Sequence, residues 1–160
     1  MAKVFLICGK LCCGKTTYAH TLRKKHRAVL LSCDEVMLAL FNPYLGSTFE
    51  SVSSHTREYL LEKSLEILDT DIDVILDWGF WTKEVRRRTK AFYADRGIQT
   101  EMHYLEVSDD VWQSRITKRN TAVEDRMCKA YYVDEGLMQK FKKRFEEPSE
   151  DEIDVKVSAD

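Results

Sequence analysis

The apolar run Val4-Phe5-Leu6-Ile7-Cys8 leads directly into Gly9-Lys10-Leu11-Cys12-Cys13-Gly14-Lys15-Thr16-Thr17, and this junction constrains the fold more than any other stretch. The run reads as a buried strand. Two chemistries compete for the loop behind it. Adjacent Cys12 and Cys13 suggest a metal or redox site, whereas Gly9, Gly14, Lys15 and Thr16 suggest a phosphate cradle. The loop matches G-x-x-x-x-G-K-[ST] between a strand and a helix beginning near Lys15, the context that this motif's mechanism needs. Its backbone N–H groups turn inward to hold phosphate oxygens, and the helix N-terminus adds its dipole. Lys15 then reaches the β- and γ-phosphates and the Thr16 hydroxyl ligates Mg²⁺. Glycine at 9 and 14 serves conformations that a side chain would obstruct. Zinc sites use pairs two to four residues apart with a second pair elsewhere, but only Cys8 lies at a plausible spacing, inside the strand. Cys12 and Cys13 are therefore expected as small side chains pointing away from the cradle; the alternative is a thiol made oxidisable by its place at a helix N-terminus.

With 160 residues, 44% hydrophobic and 32% charged, the chain has the composition of a single domain over 1–160. A net charge of -2 and a pI near 6.1 show no general basic surface, so a nucleic-acid partner is possible through a local patch but not favoured. No apolar stretch approaches the roughly 20 residues that span a bilayer, and the N-terminus lacks the pattern of a secretory signal. Five cysteines without regular spacing fit reduced thiols. These features together predict a soluble, cytoplasmic protein with no membrane partner.

Strands are predicted at 3–8, 28–32, 74–76, 100–107 and, more weakly, 153–157, separated by helix-length stretches in the order βαβααβαβααβ. Leu61, Leu65 and Leu68 line one helical face; Val85, Thr89, Phe92 and Tyr93 line another, closed by Arg96-Gly97. Ser108 offers an N-cap, followed by Asp109 and Asp110 in the first turn. Alternating strands and helices of this length define the α/β class, a parallel sheet with helices on both faces. The acidic stretch 146–154, which includes Pro148, reads as a solvated turn before the last strand.

Further candidate residues follow the strand ends, where α/β sheets collect ligands. Asp34 in Ser32-Cys33-Asp34-Glu35 is placed to accept the proton of an attacking hydroxyl, or merely opens the following helix; Glu35 is second choice. Asp77 in Leu76-Asp77-Trp78-Gly79-Phe80-Trp81 suits a carboxylate that holds Mg²⁺ or its water, and a glycine-assisted turn there is compatible with that role. Trp78, Phe80 and Trp81 serve packing or an aromatic pocket wall. Arg115 and Arg119, in Arg115-Ile116-Thr117-Lys118-Arg119-Asn120 at a helix end before an irregular segment with Arg126, share a helical face. They can embrace phosphate as a lid, or form a solvated basic face. For Arg86-Arg87-Arg88 the solvated face is the better reading.

These motifs, namely GKLCCGKTT, LLSCDEV, VILDWGFW, RITKRN and FEEPSEDE, resemble those of the small bacterial P-loop kinase-like ATPases grouped as the AAA_33 family, relatives of polynucleotide kinase, zeta toxin and chloramphenicol phosphotransferase. The resemblance covers nearly the whole chain. It implies a P-loop NTPase fold of the small-kinase type: a compact five-stranded parallel sheet, helices on both faces and a short lid near 115–135. It also implies ATP with Mg²⁺, Asp34 as the hydroxyl-activating carboxylate, and Arg115 and Arg119 in the lid. An ATP-dependent phosphotransferase acting on a hydroxyl of an unidentified small molecule is the function expected. A nucleotide-binding regulatory protein with slow hydrolysis and a polynucleotide 5′-hydroxyl kinase are the alternatives. No Asn-Lys-x-Asp guanine motif occurs, which favours ATP as donor. Phe41, Tyr44, Phe49, His55, Arg57 and Tyr59 are expected to line the acceptor pocket.

Overall fold

The computed structural model describes residues 1–41 and 45–160, so Tyr44 lies outside the described residues. Five strands, β1 (Val4–Gly9), β2 (Val29–Ser32), β3 (Val74–Gly79), β4 (Thr100–Glu106) and β5 (Val155–Ser158), form one sheet in the order β2-β3-β1-β4-β5. Every neighbouring pair is parallel. The helices are α1 (Lys15–His26), α2 (Cys33–Leu40), α3 (Phe49–Leu68), α4 (Lys83–Ala94), α5 (Asp109–Glu124) and α6 (Glu135–Arg144). The α/β order is the one that the sequence implies.

β1 is central because every one of its side chains has a buried destination. Phe5 and Ile7 face one way, into a cluster with Ala19 and Leu22 of α1, Trp112 and Ile116 of α5 and Phe141 of α6. Val4, Leu6 and Cys8 face the other way, into a cluster with Leu68 of α3 and Tyr93 of α4. Phe5, Leu6 and Ile7 are fully buried, and each contributes about 1.5–3 kcal/mol by leaving water. β5 at the edge shows the opposite pattern, with partly buried Val155 and Val157 alternating with exposed Lys156 and Ser158. That edge position explains why its sequence signal is weak.

β3 runs through Asp77 and Trp78 to Gly79, farther than the expected 74–76. Its register against β1 shifts between Leu6↔Leu76 and Cys8↔Gly79, and Gly79 takes a positive φ of 78°. The irregularity falls beside the loop, where bulges commonly redirect a strand. Polar contacts also fasten α1 to β4. Tyr18 Oη lies 2.6 Å from His103 Nδ1, and His103 Nε2 lies 2.7 Å from Glu101 Oε1. Burial lowers the His103 pKa, opposed by its bond to Glu101.

Four expectations about packing change. On α4, Val85 is 40% exposed, and Arg86, expected in solvent, is 1% exposed. Its guanidinium donates to Phe80 O at 3.0 Å and Glu146 O at 2.8 Å, and pairs with Glu152 at 2.8 Å. The acidic stretch 146–154 is consequently a clasp rather than a free turn. Glu146 N donates to Trp81 O at 2.7 Å, Asp154 accepts from Met102 N at 2.7 Å, and Pro148 is buried, although Glu150 and Asp151 remain exposed. Ser108 precedes α5 in extended geometry but does not cap it through its side chain; its hydroxyl donates to Asp160 at 3.0 Å. Gly97, in contrast, ends the α4 region as expected, at φ 69°.

The Arg86 bond is the first cause that holds the Glu152 carboxyl down to about 2, against the ordinary 4.5. A carboxylate with a lowered folded pKa stabilises fully above the unfolded value and loses that contribution as pH falls through the folded one. We predict that Glu152→Gln lowers stability at neutral pH by on the order of 3 kcal/mol, by leaving the Arg86 charge buried without its partner. Urea unfolding measured from pH 7 to 2 should show the difference from the parent shrinking between pH 4.5 and 2.

Candidate functional site

Gly9 ends β1 where no side chain fits: a Cβ there would lie 2.7 Å from Cys13 Sγ and 3.0 Å from Leu105 O. The chain then turns through Cys12 at φ 57° and Gly14 at φ 100° before α1 begins. Backbone in this left-handed region lets successive N–H groups converge on one concavity, a geometry that binds anions. Lys15 Nζ donates to Lys10 O at 2.5 Å, so the ammonium lies across the loop.

A loop that turns its N–H groups inward leaves carbonyls facing outward, and α5 supplies their partners. Trp112 Nε1 donates to Leu11 O at 2.6 Å, and Arg115 Nη1 donates to Cys13 O at 2.8 Å. Between these contacts Arg119 Nη1 lies 2.9 Å from Cys12 Sγ. Trp112, Arg115 and Arg119 are spaced by three and four, one face of a helix, so a single face of α5 touches three successive loop residues. Lys10 adds an ion pair to Asp109 at 3.1 Å and lies over the Trp112 ring, 4.7 Å from its centre. Cys13 is fully buried beneath the loop and Cys12 is turned toward α5. Among the described residues no group of three His, Cys, Asp or Glu side chains gathers into a metal site.

Asp77, at the end of β3, accepts the Thr16 hydroxyl hydrogen bond at 2.8 Å. Hydroxyl and carboxylate oxygens side by side are hard donors of the kind Mg²⁺ selects, so these two residues fit that ion. Ser32 of β2 is in register with Asp77, which sets Asp34, two residues on, beside the same strand ends. The Ser32 hydroxyl accepts from Glu35 N at 3.3 Å and thereby caps α2, leaving Asp34 free of that task. Asp34 is exposed to solvent, although much protein lies around it. Loss of hydration, then the Asp77 charge, raises its pKa, against the pull of Lys15, Arg119 and Arg57.

The sequence-predicted residues are thus largely brought together, with changes of detail. Gly9 to Thr17 form the loop and the first turn of α1, where Thr17 is exposed. Arg115 and Arg119 lie within α5, which continues to Glu124, and not at a helix end; Arg115 Nη2 also bonds Ala159 O. Arg115 is therefore occupied as a brace, while Arg119 rests against Cys12 Sγ and its charge is felt at Asp34. Asn120 ties the segment after α5 back to it, with two 2.8 Å bonds to the Val133 backbone. Of the expected pocket residues, Phe49 and Arg57 are partly buried, whereas Phe41, His55 and Tyr59 are exposed. Trp112 and Asn120 escaped sequence reasoning; the three-four spacing of Trp112 with both arginines was the available signal.

A glycine-bounded loop behind a buried strand, a hydroxyl–carboxylate pair and a second carboxylate thus lie together at the carboxyl ends of parallel strands, the arrangement of a P-loop fold. The AAA domain family AAA_33 matches residues 4–148, and the chain belongs to it. No curated protein matches it in sequence. Among solved structures it is similar to a putative kinase from Chloroflexus aurantiacus, at 18% identity and a TM-score of 0.73 over 98% of this chain and 85% of the other. It is also similar to Kti12 of Chaetomium thermophilum in complex with ADP-AlF3, at 15% identity and 0.71 over 97% and 87%. The APS kinase CysC of Mycobacterium tuberculosis, in complex with AMPPNP and APS, aligns at 16% identity and 0.69 over 99% and 89%. The fold is that of the small P-loop kinases.

The contact between a Cβ at Gly9 and Cys13 Sγ generates a coupling. Gly9→Ala should destabilise the chain by about 1–3 kcal/mol through crowding. Adding Cys13→Ala removes the nearer obstacle and leaves only the Leu105 O contact, so the double variant should be more stable than the two single effects summed. A double-mutant cycle from thermal melts measures this; strict additivity would contradict the packing.

Proposed function

We propose that residues 1–160 act as one ATP-dependent kinase domain, moving the γ-phosphoryl group of ATP to a hydroxyl of a small molecule. The observation that carries this reading is the meeting of the loop and Lys15 with an acceptor-side carboxylate, Asp34, that has no capping duty. A nucleotide-controlled switch needs the cradle but no base on the acceptor side. The irregular segment after α5, around 125–134, would serve as the lid. No described helix is long and apolar enough to cross a membrane, and the five unpaired cysteines suit a reducing compartment, so we place the protein in the cytoplasm.

In this mechanism the loop N–H groups hold the phosphates, with their outward carbonyls fixed by Trp112 and Arg115. Lys15 leaves its bond to Lys10 O and pairs with the β- and γ-phosphates. Thr16 and Asp77 would hold Mg²⁺ directly or through its water, and the ion neutralises phosphate charge when bound. Arg119 faces the transferred group from α5. Asp34 takes the hydroxyl proton as the new O–P bond forms and the bond to ADP breaks. Its raised pKa brings it closer to working pH, which favours a general base.

Two substitutions separate binding from chemistry. Lys15→Ala should abolish measurable ATP·Mg binding in calorimetric titration while circular dichroism stays parental. Asp34→Asn should bind ATP·Mg like the parent but lose phosphoryl transfer by about 10²–10⁴-fold. Parental transfer by Asp34→Asn would reduce Asp34 to a residue of the helix start.

A further inference from the structure

Charge is unevenly divided along this chain. The first 33 residues contain seven Lys or Arg and no Asp or Glu, whereas the whole chain has 25 and 27. Three of the seven are engaged: Lys3 pairs with Glu101, Lys10 with Asp109, and Lys15 lies across the glycine-bounded loop. The other four, Arg23, Lys24, Lys25 and Arg27, stand within five residues at the end of α1, and none pairs with a carboxylate among the described residues. A helix C-terminus carries only about half a negative charge, so it offsets a fraction of these four. The remainder repel one another, and Arg23 and Arg27, four apart, form a like-charge pair of the kind that destabilises a helix.

The placement of these cations is regular. His20, Arg23, Lys24 and Arg27 are spaced by three and four, one face of a helix, and that face is turned away from buried Ala19 and Leu22. All four are exposed, and with Ala28 they line one open hollow. Arg27 joins the row from a left-handed backbone, φ 54°, a conformation that glycine adopts at lower cost. On its other side Arg27 shares a hollow with Asp71 and Asp73, but both carboxylates have partners elsewhere. Asp73 accepts from Lys3 N at 2.9 Å and lies 3.9 Å from His26, and Asp71 lies 3.6 Å from the N-terminal amine. No Phe, Tyr or Trp lines the hollow between His20 and Ala28.

We propose that this face of α1 docks the phosphate backbone of a nucleic acid without reading its sequence. A straight, exposed row of cations about 10 Å long matches a linear polyanion, whereas a compact anion needs donors that converge on it. A duplex carries one negative charge per about 1.7 Å of axis, a density that relieves the repulsion along the row more fully than scattered carboxylates do. Contacts from Lys and Arg to phosphate position a protein on the duplex and carry no sequence information. With no Phe, Tyr or Trp at the hollow, there is no platform on which a base stacks. The net charge of -2 is compatible with this, because every Asp and Glu lies beyond residue 33 in sequence. Arg23 to Arg27 stand about 12–18 Å along the helix axis from Lys15, so the row is a docking surface apart from the loop, and the inference is independent of the kinase reading.

The test is fluorescence anisotropy of the intact chain with short labelled duplexes, DNA and RNA, each in two unrelated sequences. We expect micromolar binding at low salt, alike for both sequences, with a slope of log K against log [KCl] of about -2.7, the value for three phosphates met by Arg23, Lys24 and Arg27. Arg23→Gln/Arg27→Gln should bring the slope to about -0.9 and weaken binding by about 100-fold at about 50 mM KCl. The melting temperature of this variant should stay equal or rise, because like charges have been removed. Lys142→Gln/Lys143→Gln removes the same charge from exposed positions on α6 and should bind the duplex like the parent. ATP·Mg binding should be unchanged in both variants. No binding at about 50 mM KCl, a parental slope in the arginine variant, or an equal loss in the lysine variant overturns the proposal. Displacement of the duplex by poly-glutamate as readily as by unlabelled duplex, at equal charge, also overturns it and makes the partner an acidic protein.

Discussion

A phosphate loop can aim its N–H groups at an anion only if its carbonyls are satisfied on the far side, because unpaired backbone acceptors in a partly buried turn are costly. In this chain that requirement is met by one helical face. Trp112 holds the Leu11 carbonyl and Arg115 holds the Cys13 carbonyl, with Arg119 against the Cys12 sulfur between them. The position of α5 is therefore part of the site, although α5 begins about ninety residues after the loop in sequence. Gly9 closes the arrangement from below, where only hydrogen fits between Cys13 and Leu105.

The same constraint draws in the end of the chain. Arg115 bonds Ala159 O as well as Cys13 O, and Asp160 accepts from both the Ser108 backbone and hydroxyl at the start of α5. β5 thus finishes a line of contacts running from the sheet edge through α5 to the loop. On the opposite face, Arg86 performs the corresponding task by joining Phe80 O, just after β3, to the 146–152 segment. Each arginine joins two backbone carbonyls, a task for which a planar fork with several donors is better suited than an ammonium, and Arg86 also pairs with Glu152.

This division explains which parts were legible in the sequence. The loop was legible because its pattern is local: Gly9, Gly14, Lys15 and Thr16 lie within eight consecutive residues behind an apolar run. The order of strands and helices along the chain was legible for the same reason, since each apolar run and its following helix report on themselves. The roles of Arg86 and Arg115 were not. An arginine in a basic run looks solvated until the fold supplies a distant carbonyl or Glu152, and no local period encodes that meeting. Val85 misled in the complementary way, being apolar at a position the helix presents to solvent. Trp78 was readable as packing or as pocket wall; in the folded chain its ring packs against Cys33, Met37 and Leu60, and its Nε1 is buried with no partner among the described residues.

The two carboxylates at the strand ends illustrate how environment, not residue type, assigns roles. Asp77 has an oxygen already engaged by the Thr16 hydroxyl, in the first turn of α1. Asp34 does not cap α2, a task the Ser32 hydroxyl performs at Glu35 N, and loss of hydration, then the neighbouring Asp77 charge, raises its pKa. Pairs of acidic groups separated in this way commonly divide into one that stays ionised and one that exchanges a proton. Under the kinase reading the division is spatial as well. Lys15, Thr16, Asp77 and Arg119 would sit around the donor phosphates, while Asp34 would face the acceptor, where it feels the charges of Asp77, Lys15, Arg119 and Arg57.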